Sequence, residues 1–373
     1  MSLIIFIIPV YLLDEGLSFP IITLLSGIAY IPWLIKFFWG GIVDYFIELG
    51  RKKFIIMGGI LASISLIILY FIDPKAFLIP FSIFLFLSHL GILFIDVSAD
   101  AWAIDISMKK ERGKINGSMV TGMTIGISFG ATLFAVISKN INFNYSLLAA
   151  GLIILLLLIF PFIVKEVKKI KKYEKISIIL FSELKKKTTI LIAIFGLFLF
   201  INHGLHFILP LFERTLLNLD IVQIGLLGNL GIIWIVSGAI VGGYLSDRWG
   251  RKKVLFVFII ICMIFSASLI FIRKWEDLIL YAPIGFSFSA FNAAFLAMVM
   301  DITNKRVGAT QFSIITSISN IGELFGSTVS GTIVAMLGFS RVFLYSALAL
   351  GPALIILYFI RFESNYKKTV KNL

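Results

Sequence analysis

The sequence predicts an all-α membrane protein with twelve transmembrane helices arranged as two six-helix, internally repeated bundles. Of its 373 residues, 60% are hydrophobic and only 14% charged, against about 45–50% and about 25% in soluble domains. Mean hydropathy is +1.04, and the apolar stretches outrun any buried core helix, which excludes a water-soluble enzyme of this length. Basic residues gather on alternate loops, and a glycine-rich stretch of the first half is echoed in the second.

Crossing a hydrocarbon core of about 30 Å takes ~20 apolar residues at 1.5 Å rise each. On that rule the spans are 1–13, 18–40, 54–72, 77–104, 115–138, 145–164, 189–212, 221–246, 254–272, 278–302, 309–337 and 341–362. Connections this tight leave no room for a soluble domain. The first span is short: residues 1–13 cover only about 20 Å, so a misplaced start or a truncated first helix is expected. MSLIIFIIPVYLL has neither a basic leader nor a small-residue cleavage site, so it does not read as a cleavable signal peptide.

The net charge of +13 would suit nucleic acid or an anionic surface, but position decides between them. One set of loops holds Arg51, Lys52 and Lys53; Lys109, Lys110, Arg112 and Lys114; nine lysines between 165 and 187; Arg248, Arg251, Lys252 and Lys253; and Lys305 and Arg306. The same side takes the tail, with Arg361, Lys367, Lys368 and Lys371, whereas the opposite loops hold only Lys75, Lys139, Arg214, Arg273, Lys274 and Arg341. The positive-inside bias then makes this a multi-pass protein of the cytoplasmic membrane with both termini in the cytoplasm. No nucleic-acid partner is needed. The expected domains are an N-terminal bundle over 1–164, a basic cytoplasmic linker over 165–188, a C-terminal bundle over 189–362 and a tail over 363–373. The linker is either solvated or an amphipathic segment on the inner leaflet. A single cysteine, Cys262 in an apolar stretch, excludes a disulfide framework and a cysteine metal site.

Residues 40–53 read GGIVDYFIELGRKK and residues 242–253 read GGYLSDRWGRKK. The echo continues at an offset of 196 positions, Asp105 on Asp301, Gly126 on Gly322, Phe129 on Phe325 and Gly130 on Gly326. Two similar halves in the same orientation form a parallel repeat, the architecture of a rocking transporter. Gly40, Gly50, Gly243 and Gly250 should let neighbouring helices meet in a tight bend, with Asp44 and Asp247 at helix termini. Arg51, Arg248 and Arg251 should cap carbonyl ends and face anionic lipid. Such a turn can latch a neighbouring helix in one state and release it in another.

GGYLSDRWGRKK resembles the signature loop of the major facilitator superfamily. The first-half loop departs from that spacing, since five residues separate Asp44 from Gly50 while only Arg248 and Trp249 separate Asp247 from Gly250. With YIPWLIKFFWGGIVD (30–44), DVSADAWAIDISMKKERG (96–113) and GATQF (308–312), the chain is similar to the branch of AmpG-type muropeptide permeases and acetyl-coenzyme A transporters. The resemblance covers most of the chain in order. It implies uptake by a proton-driven secondary carrier, with sugar-peptide or acyl-carrier substrates among relatives. A monomer in the lipid bilayer is expected, taking a small-molecule substrate and using no cofactor or metal beyond the proton gradient.

A charge at a helix centre costs at least ~2.5–3.5 kcal/mol, so each should be paired or working. At about 100° per residue, His89, Asp96 and Asp100 share one narrow helix face. Lys36 lies eight residues above Asp44 and Asp96 nine above Asp105, so Lys36 should pair with Asp96 or Asp100, as a structural clasp or as a proton-coupling gate. Glu323, near mid-membrane, reads as a lone carboxylate suited to taking up and releasing a proton; the alternative is a hydrogen bond to Asn320 or a neighbouring helix. His203 and His206 share a face, as satisfied core histidines or as cavity groups, and fall short of a metal site. The stripes Gly122, Gly126, Gly130 and Gly322, Gly326 should pack where the halves meet. Trp102 is the aromatic expected to wall a cavity.

A channel would need a continuous polar lining, and an ATP-driven pump a phosphate-cradling Gly-rich loop with Lys; neither is present in the sequence. An enzyme would need convergent catalytic groups, which only His89 with Asp96 and Asp100 approach, so no enzymatic role is expected. An efflux carrier of drug-like solutes and a non-transporting membrane sensor remain the alternatives. With Lys36 the sole basic residue inside a span and away from its ends, a polyanion fits poorly, and a weakly charged glycopeptide, peptide, sugar or drug-like solute fits better.

Overall fold

The computed structural model describes residues 31–166, 176–218 and 221–360, with scattered positions before residue 31. Most of the expected first span, the start of the second, linker residues 167–175 and the tail lie outside the described residues, as does the side chain of His206. The described residues form helices and turns without a strand. In chain order the first half has α1 (Lys36–Tyr45), α2 (Arg51–Leu69), α3 (Leu78–Ile106), α4 (Arg112–Asn140), α5 (Phe143–Leu157) and α6 (Ile159–Ile163). A linker helix follows, α7 (Ile176–Leu184). The second half has α8 (Lys187–Ile201), α9 (Gly204–Thr215), α10 (Ile221–Trp249), α11 (Arg251–Ser268), α12 (Tyr281–Ile302), α13 (Gly308–Leu337), α14 (Phe339–Leu348) and α15 (Gly351–Phe359). Among the described residues every span expected from residue 54 onward is helical, and seven helical stretches are long and apolar enough to cross a membrane. Phe71, Ile79, Leu156 and Tyr358 are each more than seven-tenths exposed, an arrangement suited to hydrocarbon rather than water.

Besides the break at Ile35 just before α1, three expected spans are broken among the described residues. Leu158 separates α5 from α6, Asn202 and His203 separate α8 from α9, and Ala349 and Leu350 separate α14 from α15. Pro352 explains the last break, because it supplies no N–H and suits only a helix start. At the second, the Asn202 amide donates to the Ser346 carbonyl at 2.8 Å and its oxygen faces the Cys262 thiol at 3.6 Å. The interrupted backbone is thereby tied to two neighbouring spans of its own half.

The glycines divide into two roles, which corrects the expectation that all of them bend the chain. Of the four loop glycines only Gly50 and Gly250 are turn residues, with φ of 82° and 88°, a conformation in which a Cβ is strained; α2 and α11 start immediately after them. Gly40 lies inside α1 and Gly243 inside α10, and both serve close packing. A methyl on Gly40 would sit 2.7 Å from the Ala309 carbonyl oxygen, and Gly243 presses on Gly113. The stripes are corrected as well. Gly322 and Gly326 pack on the backbone of α8 within their own half, Gly130 meets Ser2, and Gly122 and Gly126 meet nothing. The halves approach instead through Gly113 and Gly117 against Ala239 and Gly243.

Each half has its own apolar core. Phe195, Phe291, Phe295 and Phe343 centre the second, while Leu66, Leu69, Phe81 and Leu147 centre the first. A small third cluster, Val43, Phe54, Leu93, Val97 and Ala101, takes in Ala309 of α13 and so lies on the seam between halves. At the basic end each half is also tied by lysine. Lys52 donates to the Phe162 and Val164 carbonyls at 3.3 and 3.1 Å, and Lys252 to those of Tyr358 and Ile360 at 2.8 and 3.1 Å.

Within the first half, Gly58 and Gly91 face each other, and a Cβ on either would lie 2.6 or 2.5 Å from the other's carbonyl oxygen. Backbone cannot yield as a side chain does, so Gly91→Val should cost about 1–3 kcal/mol by overpacking. Thermal unfolding in detergent should show the lowered Tm; an unchanged Tm would mean α2 and α3 part without cost.

Candidate functional site: two latches and a buried charge triad

At the end where the basic loops gather, the halves meet through helix starts. Asp44, fully buried near the end of α1, accepts hydrogen bonds from the Ala309 N–H (3.2 Å), the Thr310 N–H (2.7 Å) and the Thr310 hydroxyl (2.8 Å). Asp247, near the end of α10, accepts from the N–H groups of Gly113 and Lys114 at 2.8 Å each. These donors open α13 and α4, neither of which has a side-chain cap at its own N-cap residue, Val307 or Glu111. A helix start carries unsatisfied N–H groups and partial positive charge, so a carboxylate there contributes about 0.5–2 kcal/mol. Each of these helices borrows that carboxylate from the opposite half.

Arginines hold the two aspartates in place. Arg51, 1% exposed, donates to Asp44 (2.8 Å), the Val43 carbonyl (3.1 Å) and Asp105 (3.4 Å). Arg251 donates to Asp247, to Asp301 (3.0 Å) and to the Lys109 carbonyl of the other half (2.6 Å). The sequence repeat thus becomes two Asp–Arg–Asp clusters. Arg51 and Arg251 do not face lipid as expected, because two carboxylates apiece draw them inward. Arg248 stays outside, exposed over the Tyr244 ring at 4.7 Å. The repetition breaks at Arg112, which crosses the seam to Asp301 (3.3 Å) and the Met300 carbonyl, where the corresponding position of the other half is Gly308.

Lys36 opens α1 after a break at Ile35. Its buried ammonium lies 2.6 Å from the Asp96 carboxylate and 3.0 Å from that of Asp100, with the Trp33 and Phe312 rings each 5.9 Å away. Phe312 belongs to α13, so the triad also sits on the seam. The Asp100 side chain is nearly enclosed, whereas that of Asp96 is 33% exposed. One cation faces two carboxylates, so with both ionised the cluster carries an excess negative charge, costly at membrane depth. A proton or a cationic group arriving at Asp96 would cancel it.

His89 does not join this triad. It shares the helix face but lies seven residues away, about 10 Å along the axis, with Nδ1 3.1 Å from the Leu85 carbonyl and from the Ser88 hydroxyl. Glu323 is not a lone carboxylate, since its Oε1 stands 2.7 Å from His203 Nδ1. His203 sits at the α8–α9 break with its ring stacked on Phe288, centroids 4.8 Å apart. The pair remains partly open, its side chains 27% and 33% exposed. Asn320 is half-buried one turn before Glu323, and Trp102 is half-buried just past Asp100. Among the described residues no three His, Cys, Asp or Glu side chains gather as a metal site. Sequence reasoning missed Asn202, Arg112 and the partnership of His203 with Glu323; the only sequence signal for the last was two polar residues in otherwise apolar spans.

The latches are open to test by distance measurement. Removing one member of a buried ion pair costs about 3–5 kcal/mol, so Asp44→Asn and Asp247→Asn should each lengthen the spin–spin distance between nitroxides at exposed Glu48 and Lys253. Asp44→Asn should act more strongly, because Arg112 supports the other seam. Unchanged distances in both variants would show that the caps do not hold the halves together.

Residues 1–284 match the family model described as Major Facilitator Superfamily. The anhydromuropeptide permease of Escherichia coli strain K12 is 25% identical over 372 residues, covering 93% of this chain and 74% of that one. The multidrug resistance protein MdtG of Salmonella arizonae is 25% identical over 352 residues, covering 89% and 81%. Among solved structures, the fucose:proton symporter FucP of Escherichia coli is similar with a TM-score of 0.75 at 16% identity, over 95% of this chain and 94% of that one. The chain belongs to the Major Facilitator Superfamily, and its twelve-helix, two-bundle fold is that of a multi-pass membrane transporter.

Proposed function

We propose that the protein is a proton-coupled secondary carrier that moves a small organic solute across the cytoplasmic membrane by alternating access, in the manner of the muropeptide permease it resembles. The observation that carries this reading is the ten-residue helix α1, which holds Lys36 at its first position and Asp44 near its last. The basic end is taken as cytoplasmic, so the two latches close the cytoplasmic side. A proton reaching Asp96 from the open side cancels the excess charge and leaves Lys36 bound to Asp100 alone. The pull on α1 changes, and Asp44, carried by the same helix, changes its hold on α13. The Glu323–His203 pair supplies a second proton site on α13 itself.

Magnitudes fit this scheme. Moving a two-state equilibrium from 1:99 to 99:1 takes about 5.5 kcal/mol, and breaking one buried ion pair supplies about 3–5 kcal/mol. One such event plus a lost helix cap of about 0.5–2 kcal/mol brackets that figure. A single cation within the spans favours a weakly charged glycopeptide, peptide or sugar over a polyanion. Export of drug-like solutes is the second reading, favoured by the similarity to the multidrug resistance protein; the direction of flux separates the two.

Flux into proteoliposomes with an imposed pH gradient, using anhydromuropeptide and a panel of sugars, peptides and drugs, tests the proposal. Asp96→Asn and Glu323→Gln should each cut pH-driven accumulation at least about tenfold, roughly 1.4 kcal/mol of lost coupling, while sparing counterflow. Retention of pH-driven uptake by both variants would sink the coupling. If Lys36→Asp and Asp96→Lys each fail to insert but their combination transports like the parent, the pair is a clasp and not a gate.

A further inference from the structure

The linker helix α7 has two unlike faces. Ile179, Leu180, Glu183 and Leu184 turn towards the protein, whereas Ser177, Ile178, Phe181, Ser182 and Lys185 are exposed, at the spacing of one helical stripe. The inward face is tied down. Glu183 accepts a hydrogen bond from the Asn304 amide at 2.9 Å and another from the Lys186 ammonium. Burial works against the ionised carboxyl, but the bonds from Lys186 and Asn304 outweigh it and hold Glu183 below the usual carboxylate range. The Asn304 N–H in turn donates to the Gln311 side chain at 2.8 Å. Gln311 is fully buried in the first turn of α13, next to Thr310, which Asp44 holds. Two hydrogen bonds therefore run from the linker to the latched helix start.

The outward face carries apolar and basic groups together. Ile178 and Phe181 are each 61% exposed, and the Lys185 ammonium lies 4.1 Å from the centroid of the Phe181 ring. Leaving such side chains in water costs about 25 cal/mol per Å² of apolar surface. Only Lys185 and Lys186 separate α7 from α8, which starts a membrane span. Two residues reach at most about 7 Å, so the helix lies within about one Debye length of the headgroups at physiological salt.

We propose that α7 is a lipid-seated bar: Ile178 and Phe181 enter the bilayer interface, Lys185 and Lys187 engage anionic headgroups, and the chain Glu183–Asn304–Gln311 passes that seating to the closed latch at α13. Lipid composition then regulates how firmly the basic end is shut. The inference rests on the membrane reading of the chain and not on proton coupling.

The test uses the full chain in nanodiscs of phosphatidylcholine alone or with about 30% phosphatidylglycerol, whose anionic headgroups attract the lysines. Nitroxides introduced by Ile178→Cys or Phe181→Cys should be more accessible to oxygen than to a water-soluble nickel chelate in both lipids. Phosphatidylglycerol should raise the closed population of the Glu48–Lys253 spin pair about threefold, the effect of ~0.7 kcal/mol. Glu183→Ala, and separately Asn304→Ala, should abolish that rise while leaving the label at Phe181→Cys embedded. Water-exposed labels, or spin coupling between two copies labelled at Phe181→Cys, would overturn the lipid seat. A rise that is absent, or that survives in both alanine variants, would overturn the regulatory link. Loss of pH-driven uptake with the lipid response intact would count against proton coupling alone.

Discussion

A helix that begins at a buried seam must find acceptors for its first N–H groups, and α4 and α13 each find a carboxylate acceptor for two of theirs across the seam. Asp247 and Asp44 are the acceptors, and neither could stay charged there without an arginine beside it. Arg251 and Arg51 supply that charge, and Asp301 and Asp105 each take a further donor of the arginines. Glycine is required at Gly113 and Gly40 so that the backbones come close enough for the caps to form. The seam at the basic end is thus one polar network, held by groups that neither half can satisfy alone.

Deeper in the membrane lie partly open charged groups of a different kind, one on the seam and one within the second half. The Lys36 triad has one cation for two carboxylates, and the Glu323–His203 pair joins α13 to a broken span. Both clusters touch α13, which is also the helix capped by Asp44 and linked through Gln311 to the linker. Events at membrane depth and at the basic end therefore converge on one helix.

Much of this architecture is legible in the sequence because membrane spans obey a coarse rule. A run of about 20 apolar residues is needed whatever surrounds it, and so the spans beyond residue 54 appear where expected. The approach of Lys36 to Asp96 and Asp100 follows from counting depth from two marked helix ends, which needs no packing information. The partnership of His203 with Glu323 does not follow, because it depends on the α8–α9 break and on which face of α13 the backbone of α8 meets. The glycines mislead for a related reason. A glycine that frees φ and a glycine that removes a Cβ look the same in a sequence, and among Gly40, Gly50, Gly243 and Gly250 only Gly50 and Gly250 are of the first kind. Arg112 stands where the duplication fails, so the repeat itself could not flag it.

The lysine ties to the ends of α6 and α15 carry one more consequence. Lys52 and Lys252 each stitch the closing helix of a half to its third span at the face where the halves are fastened together. Undoing the fastening leaves those stitches whole. Each half then stays a single block, with its joints at the boundary and its stiffness inside.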